Sequence, residues 1–323
     1  MEEDRSLTRD KDRPSLPVAL RTLIGLALLV AFGIILLIDY LGPGAWLPGK
    51  ALDLLGVRTV LERGLLIALV GIVPIGMALK EFHAMVRELG ARFSVVSLVT
   101  AGLLIWLLQF PGWAYLRNFS VCPWALRNPL MTAVSLICFF TLGFVGYRAL
   151  QSEFEGVIES VGMFTLGLVY IVIPLGFLLR VRSRWEVVAL GTMVGVCKMT
   201  DVGAYYCGKF IGGPKMSPTV SPNKTWAGAV GGILGATLAS FVLKWLGIDV
   251  FSSFAIATVY GILVGFVAIT GDLAESVLKR ESGFNDSGEV LPGFGGVLDM
   301  IDDLLFVAPF TYFFLAVVSY YGL

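Results

Sequence analysis

Uninterrupted apolar runs about twenty residues long constrain this chain more than any other feature. They cover residues 19–38, 64–79, 94–110, 130–149, 157–179, 187–206, 226–246, 253–270 and 303–320. A helix needs about twenty residues to cross the hydrocarbon core of a bilayer, and every backbone polar group inside it must be satisfied within the segment. Composition agrees: 57% of the 323 residues are hydrophobic and only 15% are charged, against roughly a quarter charged in soluble domains. The alternating polarity of barrel strands is missing. The expected fold class is therefore all-α, a polytopic membrane bundle of about nine transmembrane helices.

Residues 1–18 form a polar tail of mixed charge, expected to be disordered. The rest, residues 19–323, reads as a single membrane domain without internal repeat or linker. The first run has the length of a span and no small-residue cleavage site, so a retained anchor is expected rather than a leader. Basic residues set the orientation. With the tail on the cytosolic side of an inner cell membrane, loops 80–92, 208–224 and 272–303 fall on that side too. Arg180, Arg182 and Arg184 argue against this arrangement, because they would lie in a loop on the opposite side. Lysine plus arginine balance aspartate plus glutamate, giving net charge zero, so bulk charge offers no reason to expect nucleic-acid binding. Cys122, Cys138, Cys197 and Cys207 lack metal-ligand spacing and read as small apolar side chains. A single histidine, His83, leaves little room for histidine-based metal or triad chemistry.

Three groups of residues could carry chemistry. Lys198 and Asp201 stand in an otherwise apolar run, each costing roughly 2.5–3.5 kcal/mol at bilayer centre. Their spacing of three puts them on one helical face, where they can pair. The second group is the stretch 208–228, with Lys209, Lys215, Lys224, Ser217, Ser221 and Thr225 just before a helix opens at Trp226. Helix-start N–H groups beside lysines and hydroxyls suit phosphate oxygens, although a basic loop touching lipid headgroups would look the same. Gly203 to Lys209 imitates the start of a P-loop, but Phe210 occupies the magnesium-binding hydroxyl position and no strand precedes it. The third group is residues 271–303, where Asp272, Glu275, Asp299, Asp302 and Asp303 accompany Lys279, Arg280 and a glycine-rich turn. Magnesium takes one or two carboxylates plus substrate phosphates, and two such cations can clamp a phosphoryl or nucleotidyl transfer. The same acids could simply cap helix N-termini.

These motifs resemble the phosphatidate cytidylyltransferases (CDP-diacylglycerol synthases). The family's C-terminal signature has counterparts in Ser276, Lys279, Arg280, Asn285-Asp286, Pro292-Gly293-Phe294-Gly295-Gly296 and Asp299-Met300-Ile301-Asp302. Its Ser-Pro-x-Lys-Thr-x-Glu-Gly motif is matched by Ser221 to Gly228, and Asp201 to Tyr205 look like its Asp-x-Gly-Ala-Tyr. Four positions depart from the pattern: Asn285 for lysine, Phe294 for histidine, Met300 for arginine and Ala227 for glutamate. The resemblance implies transfer of the cytidylyl group of CTP to phosphatidate, with release of pyrophosphate. It implies Mg²⁺, two cations, held by Asp272 and Asp299 with Asp302 in support. Lys224, Ser221, Pro222, Thr225, Lys215 and Ser276 would contact substrate. Lys279 and Arg280 would stabilise the leaving pyrophosphate, and Asp201 would act on the metal side. CTP, phosphatidate and membrane lipids are the expected partners, with homodimerisation left open. A CTP-dependent kinase or transferase for another lipid, a weakened paralogue and a transporter built on Lys198 and Asp201 are the rival readings.

Overall fold

The computed structural model describes residues 18–41, 64–111, 128–152, 154–288 and 295–322. Residues 1–17, Cys122, Glu289 and the Pro292-Gly293-Phe294 part of the signature lie outside the described residues. In chain order the helices are α1 (Val18–Leu41), α2 (Leu65–Val70), α3 (Ile72–Glu88), α4 (Val95–Leu108), α5 (Pro129–Leu150), α6 (Val157–Gly167) and α7 (Ile173–Phe210). A π-helical turn, Leu168–Val172, joins α6 to α7. A short hairpin of β1 (Lys215–Ser217) and β2 (Ser221–Thr225) then leads into α8 (Trp226–Trp245), α9 (Phe254–Glu281) and α10 (Val297–Tyr321).

The chain is an all-α polytopic membrane protein, and six helical stretches among the described residues are long and apolar enough to cross a bilayer. Nine were expected. Two of the expected runs, 157–179 and 187–206, belong to one helical element of 54 residues, Val157–Phe210. Its backbone breaks at Trp185 and Glu186, where Glu186 takes φ 67°. Val30–Leu41, the second half of the 24-residue α1, and α4 (Val95–Leu108) are shorter apolar stretches. Helix ends also differ from expectation. Residues 80–88 and 272–281 continue α3 and α9 beyond their apolar stretches instead of forming loops. Once a helix has formed, each added residue gains a hydrogen bond at little further cost, so charged residues extend it readily.

Glycines set the spacing of the C-terminal helices. A Cβ on Gly235 of α8 would fall 2.6 Å from the Met199 carbonyl of α7. On Gly265 of α9 it would meet Ile233 Cα of α8 at 2.7 Å, and on Gly271 the Asp302 carbonyl of α10 at 2.9 Å. Lipid supplies no hydrophobic force between helices, so small residues that let backbones pack closely hold them together. This seam brings Asp201, Thr225, Asp272 and Asp302 to the same end of α7, α8, α9 and α10. Buried residues divide into two clusters. One centres on Phe82, Leu98, Trp106 and Leu168 of the N-terminal half, the other on Met193, Val196, Tyr260, Val264 and Val307.

The arginines that opposed the expected orientation are accounted for differently. Arg180 and Arg182 are buried, Arg182 pairs with Asp39 of α1, and Arg180 lies 4.7 Å over the Phe177 ring. Arg182 ties α7 to α1, Arg180 is buried against its own helix, and Arg184 is exposed, 4.9 Å over the Trp185 ring. Of the cysteines, Cys197 is buried as expected, whereas Cys138 is exposed on α5.

Candidate active site

A cavity of about 470 Å³ opens where the C-terminal end of α7, the β-hairpin, the first turn of α8 and the middle of α9 meet. Its polar lining includes Asp201, Asn223, Lys224, Thr225 and Asp272. Pockets of this size lie within the usual range for small-molecule sites, about 300–1,000 Å³. The hairpin delivers Lys224. Thr225 pairs back to Lys215 in the antiparallel register, and the Trp226 N–H donates to the Pro214 carbonyl at 3.1 Å. Thr225 then caps α8, its hydroxyl accepting from the Gly228 N–H at 3.1 Å. The positive end of the α8 dipole therefore lines the cavity.

Lys224 Nζ sits 2.7 Å from an Asp272 carboxylate oxygen. The ammonium is buried, and Asp272 is its one ion-pair partner among the described residues, which leaves N–H bonds beyond that contact. It retains donor capacity toward whatever enters the cavity. Asp272 is 39% and Asp201 53% exposed at the side chain, so both carboxylates keep oxygens open to the cavity. Lys209 also reaches it, resting 5.4 Å over the Tyr205 ring. The stretch 203–209 is helical, part of α7, so the P-loop-like spelling is not a phosphate loop.

Lys198 and Asp201 share a face as expected, at 3.4 Å, but the closer partner of Lys198 is Asp303. The ammonium donates to both Asp303 oxygens at 2.8 and 2.9 Å and to the Met300 carbonyl at 3.0 Å. Cys197 Sγ donates to the same carboxylate at 3.0 Å. Asp303 thus absorbs the lysine's charge, fastens α7 to α10 and leaves Asp201 open.

Asp299, the second expected metal ligand, lies apart from Asp272. It does not line the cavity. Its oxygens accept from Lys279 at 2.7 Å, from the Gly296 N–H at 2.7 Å and from the Ser287 N–H at 3.0 Å. Lys279 also pairs with the fully buried Glu275, one turn earlier on α9. Beside this group Glu81 of α3 accepts from the Val297 and Leu298 N–H groups at 2.9 and 2.8 Å and from the Ser287 hydroxyl at 3.2 Å. Two carboxylates therefore satisfy the first N–H groups of α10, where anions are favoured. Glu81 and Glu275 went unrecognised as partners in the sequence. Only the Glu275–Lys279 spacing of four carried a signal.

The remaining expected residues fall outside the cavity lining. Asp302 is buried and accepts from the Asp303 N–H at 2.8 Å. The Ser276 hydroxyl bonds back to the Asp272 carbonyl at 2.8 Å. Arg280 donates to the Val220 carbonyl at 3.0 Å, to the Phe284 carbonyl at 3.2 Å and to Asn285. It ties the hairpin to the end of α9. Ser221 and Pro222 start β2, and Lys215 starts β1. Asn285 thus receives Arg280 where the family pattern has a lysine.

Helices and cavity define a class: a polytopic membrane protein whose close-packed C-terminal helices enclose open carboxylates beside a lysine. Comparison with known proteins makes this specific. The model of the cytidylyltransferase family matches residues 53–318. The phosphatidate cytidylyltransferase of Brucella suis is 34% identical over 206 residues, covering 64% of this chain and 73% of that protein. The Bacillus subtilis protein of the same name is 36% identical over 167 residues, 50% of this chain and 60% of its own length. The Synechocystis one is 28% identical over 264 residues, 74% and 84% of the two chains. The chain belongs to the cytidylyltransferase family.

Proposed function

We propose that this protein transfers the cytidylyl group of CTP to phosphatidate, forming CDP-diacylglycerol and pyrophosphate at the cavity between α7, α8 and α9. The carrying observation is the convergence of Asp201, Lys224, Thr225 and Asp272 in one cavity, within a chain whose relatives are named phosphatidate cytidylyltransferases. A phosphatidate oxygen attacks the α-phosphorus of CTP. The bond from that phosphorus to the β-phosphate bridging oxygen breaks, and pyrophosphate leaves with the electron pair. Since the lipid phosphate is itself the nucleophile, the protein's task is to position the reactants and neutralise charge.

Lys224 suits the triphosphate, because it lines the cavity and its three N–H bonds meet one carboxylate partner among the described residues. The capped start of α8 adds a positive dipole end. The donor set also fits magnesium. No group of three or more His, Cys, Asp or Glu side chains is arranged to hold a metal among the described residues, but this ion uses one or two carboxylates and takes the rest from phosphates and water. Asp272 and Asp201 are the ligands we assign, rather than Asp299, whose oxygens are engaged by Lys279 and backbone N–H groups. When bound, Mg²⁺ supplies charge neutralisation on the phosphates. Asp302 and Asp303 support the site from α10 by holding its backbone and Lys198 in place.

The membrane is the inner cell membrane, with the cavity on the cytosolic side, and the chain crosses nine times. At 1.5 Å per residue, the element of 54 residues would be about 80 Å long, over twice a bilayer core. Its break at Trp185 and Glu186 gives two crossings, and the two shorter apolar helices supply the others. The test uses membranes containing the protein, given labelled CTP, phosphatidate and Mg²⁺. CDP-lipid forms, and Asp272→Asn abolishes it. A wild-type protein that makes no CDP-lipid from any lipid phosphate contradicts the reading.

A further inference from the structure

A second cavity, about 1120 Å³ in volume, lies between α3, α4, α5 and α6, away from the residues that line the first. Arg87, Arg92 and Arg148 line one part of it, and Phe139, Phe144 and Phe164 another. We propose that this groove binds one anionic glycerophospholipid, its phosphate on the arginines and an acyl chain along the aromatic wall.

Charge favours an anion. Three guanidinium groups line the groove. Arg92 lies 3.9 Å from the carboxylate of Glu155, whose side chain is 81% exposed. Arg148 is spoken for in part, donating to the Glu155 backbone carbonyl at 3.1 Å. Arg87 is exposed and has no ion-pair partner among the described residues. Guanidinium groups match phosphate oxygens with paired, directional hydrogen bonds, and basic pockets between membrane helices are recognised headgroup sites.

The walls favour a lipid over a free phosphate. Phe144 and Phe164 stack with centroids 5.6 Å apart, while Phe139 is 69% exposed. A Cβ on Gly143 would meet nothing within 4 Å, so the α5 side of the groove holds room unfilled by protein. α5 is also the least enclosed of the six apolar spans, with 17% of its apolar window buried. A chain can therefore slide in sideways from the bilayer. The height is suitable as well. Glu81, less than two turns before Arg87 on α3, grips the start of α10. The arginines thus sit near the membrane face that carries the first cavity, at headgroup level.

The test is native mass spectrometry of the full-length delipidated protein titrated with phosphatidylglycerol or phosphatidylcholine of identical chains, without CTP. Phosphatidylglycerol is retained at least ~10-fold better, a difference of one decade in Kd. Arg87→Gln with Arg92→Gln removes the preference, Arg87→Lys with Arg92→Lys keeps most of it, and Gly143→Leu, which fills the groove, lowers retention of either lipid. Asp272→Asn leaves retention unchanged, which separates this site from the catalytic reading. The proposal fails if both lipids bind equally to the wild type, or if the double glutamine variant still prefers phosphatidylglycerol. It also fails if Asp272→Asn abolishes retention, or if free glycerol 3-phosphate displaces the lipid at equal concentration. The wild-type lipid comparison decides the matter even if a variant does not fold.

Discussion

Two groups of acids lie along α9 and the start of α10, and the protein treats them in opposite ways. Asp272, with Asp201 across from it on α7, keeps a partly exposed carboxylate beside an ammonium that has N–H bonds to spare. Glu275 and Asp299, by contrast, are 0% and 10% exposed and share Lys279 between them, with backbone N–H groups completing the shell of Asp299. The open pair can exchange partners when a charged substrate arrives. The closed group cannot, because removing any member leaves an uncompensated charge in a poorly hydrated place. Spelling alone suggested that Asp272 and Asp299 do the same job. Their surroundings differ: Asp272 lines the cavity, whereas Asp299 is held by Lys279 and backbone N–H groups at the start of α10.

The sharpest way to break this division is Asp272→Asn. Loss of a preorganised charged group at the reacting phosphates is expected to lower CDP-lipid formation by about 10³-fold, with a fall in unfolding temperature smaller than that of Lys279→Met, since the substitution leaves only Lys224 without its carboxylate. Lys279→Met should do the reverse. It strands Glu275 and Asp299 and is expected to destabilise the protein by about 3 kcal/mol, read as a lowered thermal midpoint. Glu81→Gln keeps the shape but removes the charge at the α10 N-terminus and turns one of two accepting oxygens into an NH2 donor that faces an N–H, for about 1–3 kcal/mol. Thr225→Ala removes only the α8 cap, costing about 1 kcal/mol. Its readout is a small rise in the CTP concentration needed for half-maximal rate, since the first turn of α8 lines the cavity.

How much of this was legible in the sequence follows from the range of each interaction. The apolar runs exposed the helices, because bilayer thickness acts on contiguous residues. Asp201, Lys224, Thr225 and Asp272 could be picked out because charge and hydroxyls beside apolar runs are conspicuous. The fusion of residues 157–210 was hidden, since a break at one residue pair, Trp185 and Glu186, leaves no compositional mark. The hairpin was missed for a related reason: its strands are three and five residues long, too short for alternation to register. The role of Glu81 was out of reach, because its partners Val297 and Leu298 stand more than 200 positions away. Asp299 illustrates the remaining gap. Its position in a motif was plain, but whether a carboxylate is open or spent depends on neighbours that only folding assembles.

The central claim is that the open pair performs the transfer and the closed group performs the holding. Asp272→Asn and Asp299→Asn, purified side by side, test it when CDP-lipid formation and thermal midpoint are measured on the same samples. The account expects Asp272→Asn to lose activity with only a small fall in thermal midpoint, and Asp299→Asn to lose more stability while its folded fraction still turns over. Wild-type turnover in Asp272→Asn, or a fully stable and inactive Asp299→Asn, would contradict it.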